Sequence, residues 1–159
     1  MERVEIRLAT PEDVPALAEL RREWTLEDGH AEARTTAGFD QEFVGLVSEG
    51  IESGRWVVWL AEVDGEIASH AFVGVVDRIP RPIEQLPTIG YLTNVYTRPD
   101  HRGRGLGSRV LDAVTAWARK VGIELLFVWP SEASVAHYER HGFAARGEPL
   151  VWLHPEAGD

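Results

Sequence analysis

Glycines stand at positions 103, 105 and 107, with Arg102 and Arg104 interleaved, Leu106 inside the run and Ser108 directly after it. Glycine removes the side chain where backbone must approach a ligand closely, and a helix that starts at such a run presents unpaired amide hydrogens and the positive end of its dipole. Phosphate binds that combination. Two guanidinium groups and a hydroxyl add charge and a further donor, so the run is expected to hold a pyrophosphate. Spacing narrows the ligand. Gly107 is followed by Ser108-Arg109, whereas a triphosphate loop needs Lys and then Ser or Thr after its last glycine. Only Leu106 separates Gly105 from Gly107, and a dinucleotide fingerprint needs two residues there.

Other groups offer less. His137 and His141 lie four apart, but no third ligand and no His-Glu-x-x-His pattern accompanies them, so no metal site is expected. The chain has no cysteine, which excludes disulfides, thiolate metal sites and a Cys nucleophile.

The elements that must position the glycine run follow from periodicity. Val4, Ile6 and Leu8 alternate with charge as a half-buried strand does, and Thr10-Pro11-Glu12-Asp13 reads as a helix start with Thr10 as its cap. Val14, Leu17, Ala18 and Trp24 share one face of that helix, which ends before Glu27-Asp28-Gly29. Phe43, Val44, Val47 and Ile51 predict a second helix over Asp40 to Ser53. Trp56 to Val63 and Glu66 to Val76 read as two strands of a hairpin turned at Asp64-Gly65. Pro80, Pro82 and Pro87 break the chain into a surface loop before a fourth strand, Thr88 to Thr97. A helix from about Gly105, with Val110, Leu111, Val114, Trp117, Ala118 and Val121 as its buried stripe, leads to a strand at Ile123 to Trp129. Strand, helix and strand make one right-handed βαβ unit around the glycine run. A last helix, Ser131 to His141, is expected to precede strands near Phe143 to Ala145 and Leu150 to His154. The six tryptophans are expected to fill core, with Trp24, beside the Glu27 to Phe39 loop, placed to line a pocket.

At 159 residues, 44% of them hydrophobic, the chain is expected to fold as a single domain over 1–159. The first eight residues lack the apolar core of a signal peptide, and the longest apolar runs are of strand length, so a cytoplasmic location away from membranes is expected. A formal net charge of −10 argues against a nucleic-acid partner.

Arg102-Gly103-Arg104-Gly105-Leu106-Gly107, preceded by the strand Asn94-Val95-Tyr96-Thr97-Arg98-Pro99, resembles the Arg/Gln-x-x-Gly-x-Gly signature of the GNAT N-acetyltransferases. Tyr138 followed by Glu139-Arg140-His141-Gly142-Phe143 resembles that family's Tyr-x-x-x-Gly-Phe helix, and the order of elements agrees over nearly the whole chain. The resemblance implies an α/β (α+β) fold: a mixed, mostly antiparallel sheet of six to seven strands flanked by about four helices, with a central βαβ cofactor-binding unit. It implies acetyl-CoA as co-substrate, its pantetheine along backbone at Val95, Tyr96 and Thr97 where the fourth and fifth strands splay, and an N–H at Asn94 or Val95 for the oxyanion. Arg102, Gly103, Arg104, Gly105, Leu106, Gly107 and Ser108 would hold the pyrophosphate. Ser131 stands where many relatives carry a cofactor-contacting Asn, and it is also a helix-cap residue.

The reaction so implied is direct attack by a primary amine on the thioester, with no acetyl-enzyme intermediate and with Tyr138 protonating the departing thiolate. A lysine-like amine is on the order of one part in a thousand unprotonated at pH 7, so a base or water relay is needed. The fourth strand carries no Asp or Glu, and Glu84, Tyr91 and His70 are the remaining candidates, none of them singled out. A non-catalytic CoA-binding sensor is the alternative. The expected partner is a small-molecule or peptide amine acceptor of unspecified identity, and a homodimer is an assembly the fold admits.

Overall fold

The computed structural model describes residues 1–34, 37–147 and 149–156. They form two compact units, Met1–Trp129 and Pro130–Asp159. In the first, β1 (Val4–Leu8), α1 (Val14–Glu27), α2 (Phe39–Ser53), β2 (Trp56–Val63), β3 (Glu66–Asp77), β4 (Thr88–Thr97), α3 (Leu106–Val121) and β5 (Ile123–Phe127) follow in that order. The Glu27 to Phe39 loop contains positions 35 and 36, which lie outside the described residues.

The sheet runs β1-β2-β3-β4-β5. The first three pairings are antiparallel, and β4 pairs with β5 in parallel, with α3 as the crossover between them. The β2–β3 hairpin turns at Asp64 (φ 50°) and Gly65 (φ 91°), the two left-handed residues its sequence called for. Alternation sends Val58, Leu60, Phe72 and Tyr96 to one face, where they meet Val14, Leu17 and Leu20 of α1 and Val47 of α2. Val73 and Leu92, opposite each other on β3 and β4, are fully buried, as are Val110, Leu111 and Val114 of α3.

Thr10 stands at the N-cap of a 3-10 turn, Pro11–Asp13, that leads into α1, and the Asp13 carboxylate accepts the Thr10 N–H at 2.8 Å as part of a capping box. Asp13 also takes both Arg7 Nη atoms at 2.8 Å, and Arg7 reaches Glu62 at 2.7 Å, so one ion network ties β1, the start of α1 and β2.

The second unit holds a 3-10 turn, Glu132–Ser134, and α4 (Val135–Arg140). Five strands are present among the described residues, not the expected six to seven, because 143–147 and 149–156 contain none. Leu150, Val151, Trp152 and Leu153 lie exposed without a ladder partner, and an apolar run alone does not supply the partner edge that a strand requires. The tryptophans divide as well. Trp24 and Trp56 pack against the core, whereas Trp129 and Trp152 are 59% and 80% exposed.

No helix among the described residues is long and apolar enough to cross a membrane.

Candidate functional site

The glycine run folds as a loop with two left-handed glycines leading into α3. Gly103 (φ 72°) and Gly105 (φ 75°) both take backbone that an L side chain rarely adopts, and a Cβ on either would meet no protein atom within 4 Å. Open space therefore faces the loop where a ligand would approach. Gly105 is the residue that begins α3, no side chain caps that end, and no acidic residue sits in the first turn. The amides of Leu106, Gly107 and Ser108 thus open a 16-residue helix with no carboxylate competing for them, a cradle suited to a diphosphate. The residues present fit the pyrophosphate of acetyl-CoA.

The two signature arginines are engaged elsewhere. Arg102 Nη1 and Nη2 reach the two Glu27 carboxylate oxygens at 2.7 and 3.0 Å, and its Nε donates to the Thr97 carbonyl at 2.9 Å. Its guanidinium lies 5.6 Å from the Tyr96 ring centroid. Tyr96 donates its hydroxyl to Glu27 at 3.0 Å and stacks on Trp24 at 5.2 Å, so the end of α1 is fastened to the end of β4. The Arg102 hydrogen bond is the main cause holding the Glu27 carboxyl below its ordinary range, and burial is the main cause pushing the Tyr96 phenol up to about 12. Arg104 pairs with Glu2 and meets His101 Nδ1 at 2.9 Å.

Strand β4 carries an irregularity that its composition conceals. Phe72 pairs with Thr93 and His70 with Tyr96, so Ala71 alone stands opposite Asn94 and Val95. This is a β-bulge. Asn94 takes φ 52°, a left-handed angle in mid-strand that asparagine tolerates better than most residues. The His70 Nδ1 lies 2.8 Å from the Asn94 carbonyl oxygen. His70 is fully buried, and burial lowers its pKa to about 4.

On the other side of β4, the parallel ladder to β5 ends at Tyr91 and Phe127, whose rings stack at 5.2 Å. Trp129 stands edge-on to both, at 5.5 and 5.4 Å. Beyond that aromatic fork, the stretch of β4 with Asn94, Val95, Tyr96 and Thr97 has no β5 partner.

In the second unit, Tyr138 is buried on α4 with Phe143 at 5.5 Å, and the chain turns at Gly142 (φ 87°) so that the Phe143 N–H reaches the Tyr138 carbonyl at 3.2 Å. Burial raises the phenol pKa, so the hydroxyl keeps its proton at neutral pH. Ser131 is exposed, with its Oγ 3.0 Å from Ser134 Oγ and no bond to a backbone amide.

Of the residues considered as a base, Glu84 is exposed in the β3–β4 loop, Tyr91 is stacked in the aromatic fork, and His70 is buried on the Asn94 carbonyl. Glu27 went unnoticed in the sequence, since 75 positions separate it from Arg102 and nothing local marks the pair. No group of three or more His, Asp or Glu that could hold a metal occurs among the described residues.

Comparison with known proteins bears on the whole of this arrangement. The model of the acetyltransferase (GNAT) family matches residues 10–143. The chain is 32% identical over 138 residues to an aminoglycoside N(6')-acetyltransferase type 1 of Stenotrophomonas maltophilia, covering 86% of this chain and 79% of that one. Its fold is that of a predicted acetyltransferase of Clostridium acetobutylicum solved with acetyl-CoA, with TM-score 0.78 at 24% identity, over 95% of this chain and 96% of that one. Glucosamine-6-phosphate N-acetyltransferase of Arabidopsis thaliana is similar in fold too, with TM-score 0.73 at 20% identity over 95% and 98% of the two chains.

Proposed function

The chain belongs to the acetyltransferase (GNAT) family as an acetyl-CoA-dependent N-acetyltransferase, and we propose that it acetylates a primary amine of a cationic small molecule by direct attack. The observation that carries this reading is the stretch of β4 from Asn94 to Thr97, left without a β5 partner beside a helix end whose amides are uncapped. Pantetheine is an extended chain of amides, and an unpaired strand edge is what such a chain pairs with. The pyrophosphate sits on the amides of Gly103 to Ser108, chiefly through backbone, because Arg102 and Arg104 already hold carboxylates.

The acceptor amine attacks the thioester carbonyl carbon, a C–N bond forms as the carbonyl electrons move to oxygen, and the N–H of Val95 accommodates the oxyanion. Collapse breaks the C–S bond. Tyr138 donates its proton to the departing thiolate, a role supported by the likeness of the Tyr138 to Phe143 segment to the family's Tyr-x-x-x-Gly-Phe helix. The surplus proton of the amine leaves to water, and water returns one to Tyr138. Glu27 is a poor base for it, since Arg102 and Tyr96 both stabilise its ionised form.

A cationic acceptor is supported by the aminoglycoside substrate in the relative's name and by a net charge of −10, which attracts cations to the surface. Thiol release from acetyl-CoA, followed across a panel of aminoglycosides, polyamines and lysine peptides, tests this. Release that requires an aminoglycoside or polyamine fits the proposal. Tight acetyl-CoA binding with no release on any amine would point instead to a non-catalytic sensor.

A further inference from the structure

The bulge leaves Asn94 out of the β3–β4 register, and a half-buried carbonyl off the ladder still needs a hydrogen-bond partner. His70 supplies the partner. A carbonyl oxygen only accepts, so the hydrogen lies on Nδ1, and Nε2 is the bare nitrogen. Nε2 is itself buried with no hydrogen-bond partner, which suits a neutral ring and not an imidazolium that would carry a second hydrogen there. His70 packs against Phe72 and Tyr96, with ring centroids at 5.3 and 6.0 Å, so two aromatic neighbours restrain the imidazole.

The Asn94 carbonyl and the Val95 N–H belong to one peptide plane, and the bond between them is trans, so the two groups point in opposite directions. Holding one aims the other. We propose that His70 is a positioning residue for acetyl transfer: its Nδ1–H grips the Asn94 carbonyl and thereby turns the Val95 N–H toward the reacting oxygen. The inference rests on the oxyanion role given to Val95 above. No proton passes through His70. Its work is to keep a left-handed peptide from relaxing into the ladder.

Three variants and one wild-type measurement test this. His70→Leu keeps bulk and removes the donor, His70→Met does the same with a more adaptable side chain, and His70→Asn restores an N–H near the Nδ1 position. The Leu variant is expected to lose about 10²-fold in kcat, on the scale of a misplaced catalytic group, with acetyl-CoA affinity within about twofold of wild type. Asn is expected to recover most of the rate, and the Val95 amide resonance should move in Leu and return in Asn. Where Leu is too unstable to assay, Met serves in its place. An unmoved Val95 amide with unchanged kcat overturns the positioning role. A displaced Val95 amide with unchanged kcat overturns the oxyanion assignment instead, so the two failures are separable. Independently of any variant, imidazole nitrogen shifts of the wild-type protein should report a protonated Nδ1 and a bare Nε2, and the opposite tautomer contradicts the proposal.

Discussion

Arg102 grips Glu27 through both carboxylate oxygens, at 2.7 and 3.0 Å, and so ties the last residue of α1 to the first residue of the glycine run. The side chains are 47% and 35% exposed, which limits what the pair contributes to stability to below about 1 kcal/mol. Its consequence is geometric. Losing either partner should loosen the loop against β4, and a double-mutant cycle of Glu27→Gln and Arg102→Gln on acetyl-CoA affinity should be non-additive. Arg102→Lys should resemble Arg102→Gln, since an ammonium cannot hold two carboxylate oxygens and the Thr97 carbonyl in one plane. Calorimetric titration of the five proteins checks this.

Gly105 tests the backbone cradle more directly. Its φ of 75° costs an alanine roughly 1–2 kcal/mol, yet the added Cβ touches nothing in the protein. Gly105→Ala should therefore fold with a modestly lowered Tm, while acetyl-CoA binding weakens by about tenfold or more as the methyl enters the space above the amides. A variant that melts lower but binds as wild type would show that the loop does not face the cofactor.

Much of this frame was legible beforehand, and the reason is locality. The Asp64-Gly65 turn, the apolar stripe of α3 and its glycine ends are set by residues within a few positions of one another, and each formed where the pattern placed it, except that Val121, at the last turn of the stripe, is 52% exposed. The bulge at Asn94 was not legible, because Leu92 to Thr97 reads as an ordinary strand and the force that turns the Asn94 peptide comes from His70 on another strand. The Glu27–Arg102 pair escaped for the same reason. The extra strands expected near 143–145 and 150–154 failed in the converse way: apolar content suggested them, but strand formation depends on a partner edge that composition cannot reveal.

Acid should destabilise the protein in two stages. Unfolded His70 binds a proton at its ordinary pKa of 6.5, whereas the folded ring, buried, resists until about 4. Stability is full above 6.5 and falls as pH drops from there toward 4, by on the order of 3 kcal/mol from this residue. His137, whose pKa burial also lowers, adds to the same window. Asp13, held low chiefly by its Arg7 hydrogen bonds, and Glu27, held low by Arg102, lose their contribution only as pH falls further, below the ordinary carboxylate range. Melting curves against pH should be flatter between 6.5 and 4 for His70→Asn than for wild type.

Tyr138→Phe removes the proton proposed for the leaving thiolate and leaves the ring that packs on Phe143. Turnover should fall by about 10²-fold with acetyl-CoA affinity and Tm nearly unchanged. Unaltered kcat under conditions where chemistry limits the rate would remove Tyr138 from the mechanism.

The claim beneath all of these is that acetyl-CoA lies along the open part of β4 with its pyrophosphate on the first turn of α3. Titration of acetyl-CoA into 15N-labelled protein reads it residue by residue. The amides of residues 103–108 and of 95–97 should shift in a single saturable event. Shifts confined to other parts of the chain, or none at saturating acetyl-CoA, would contradict it.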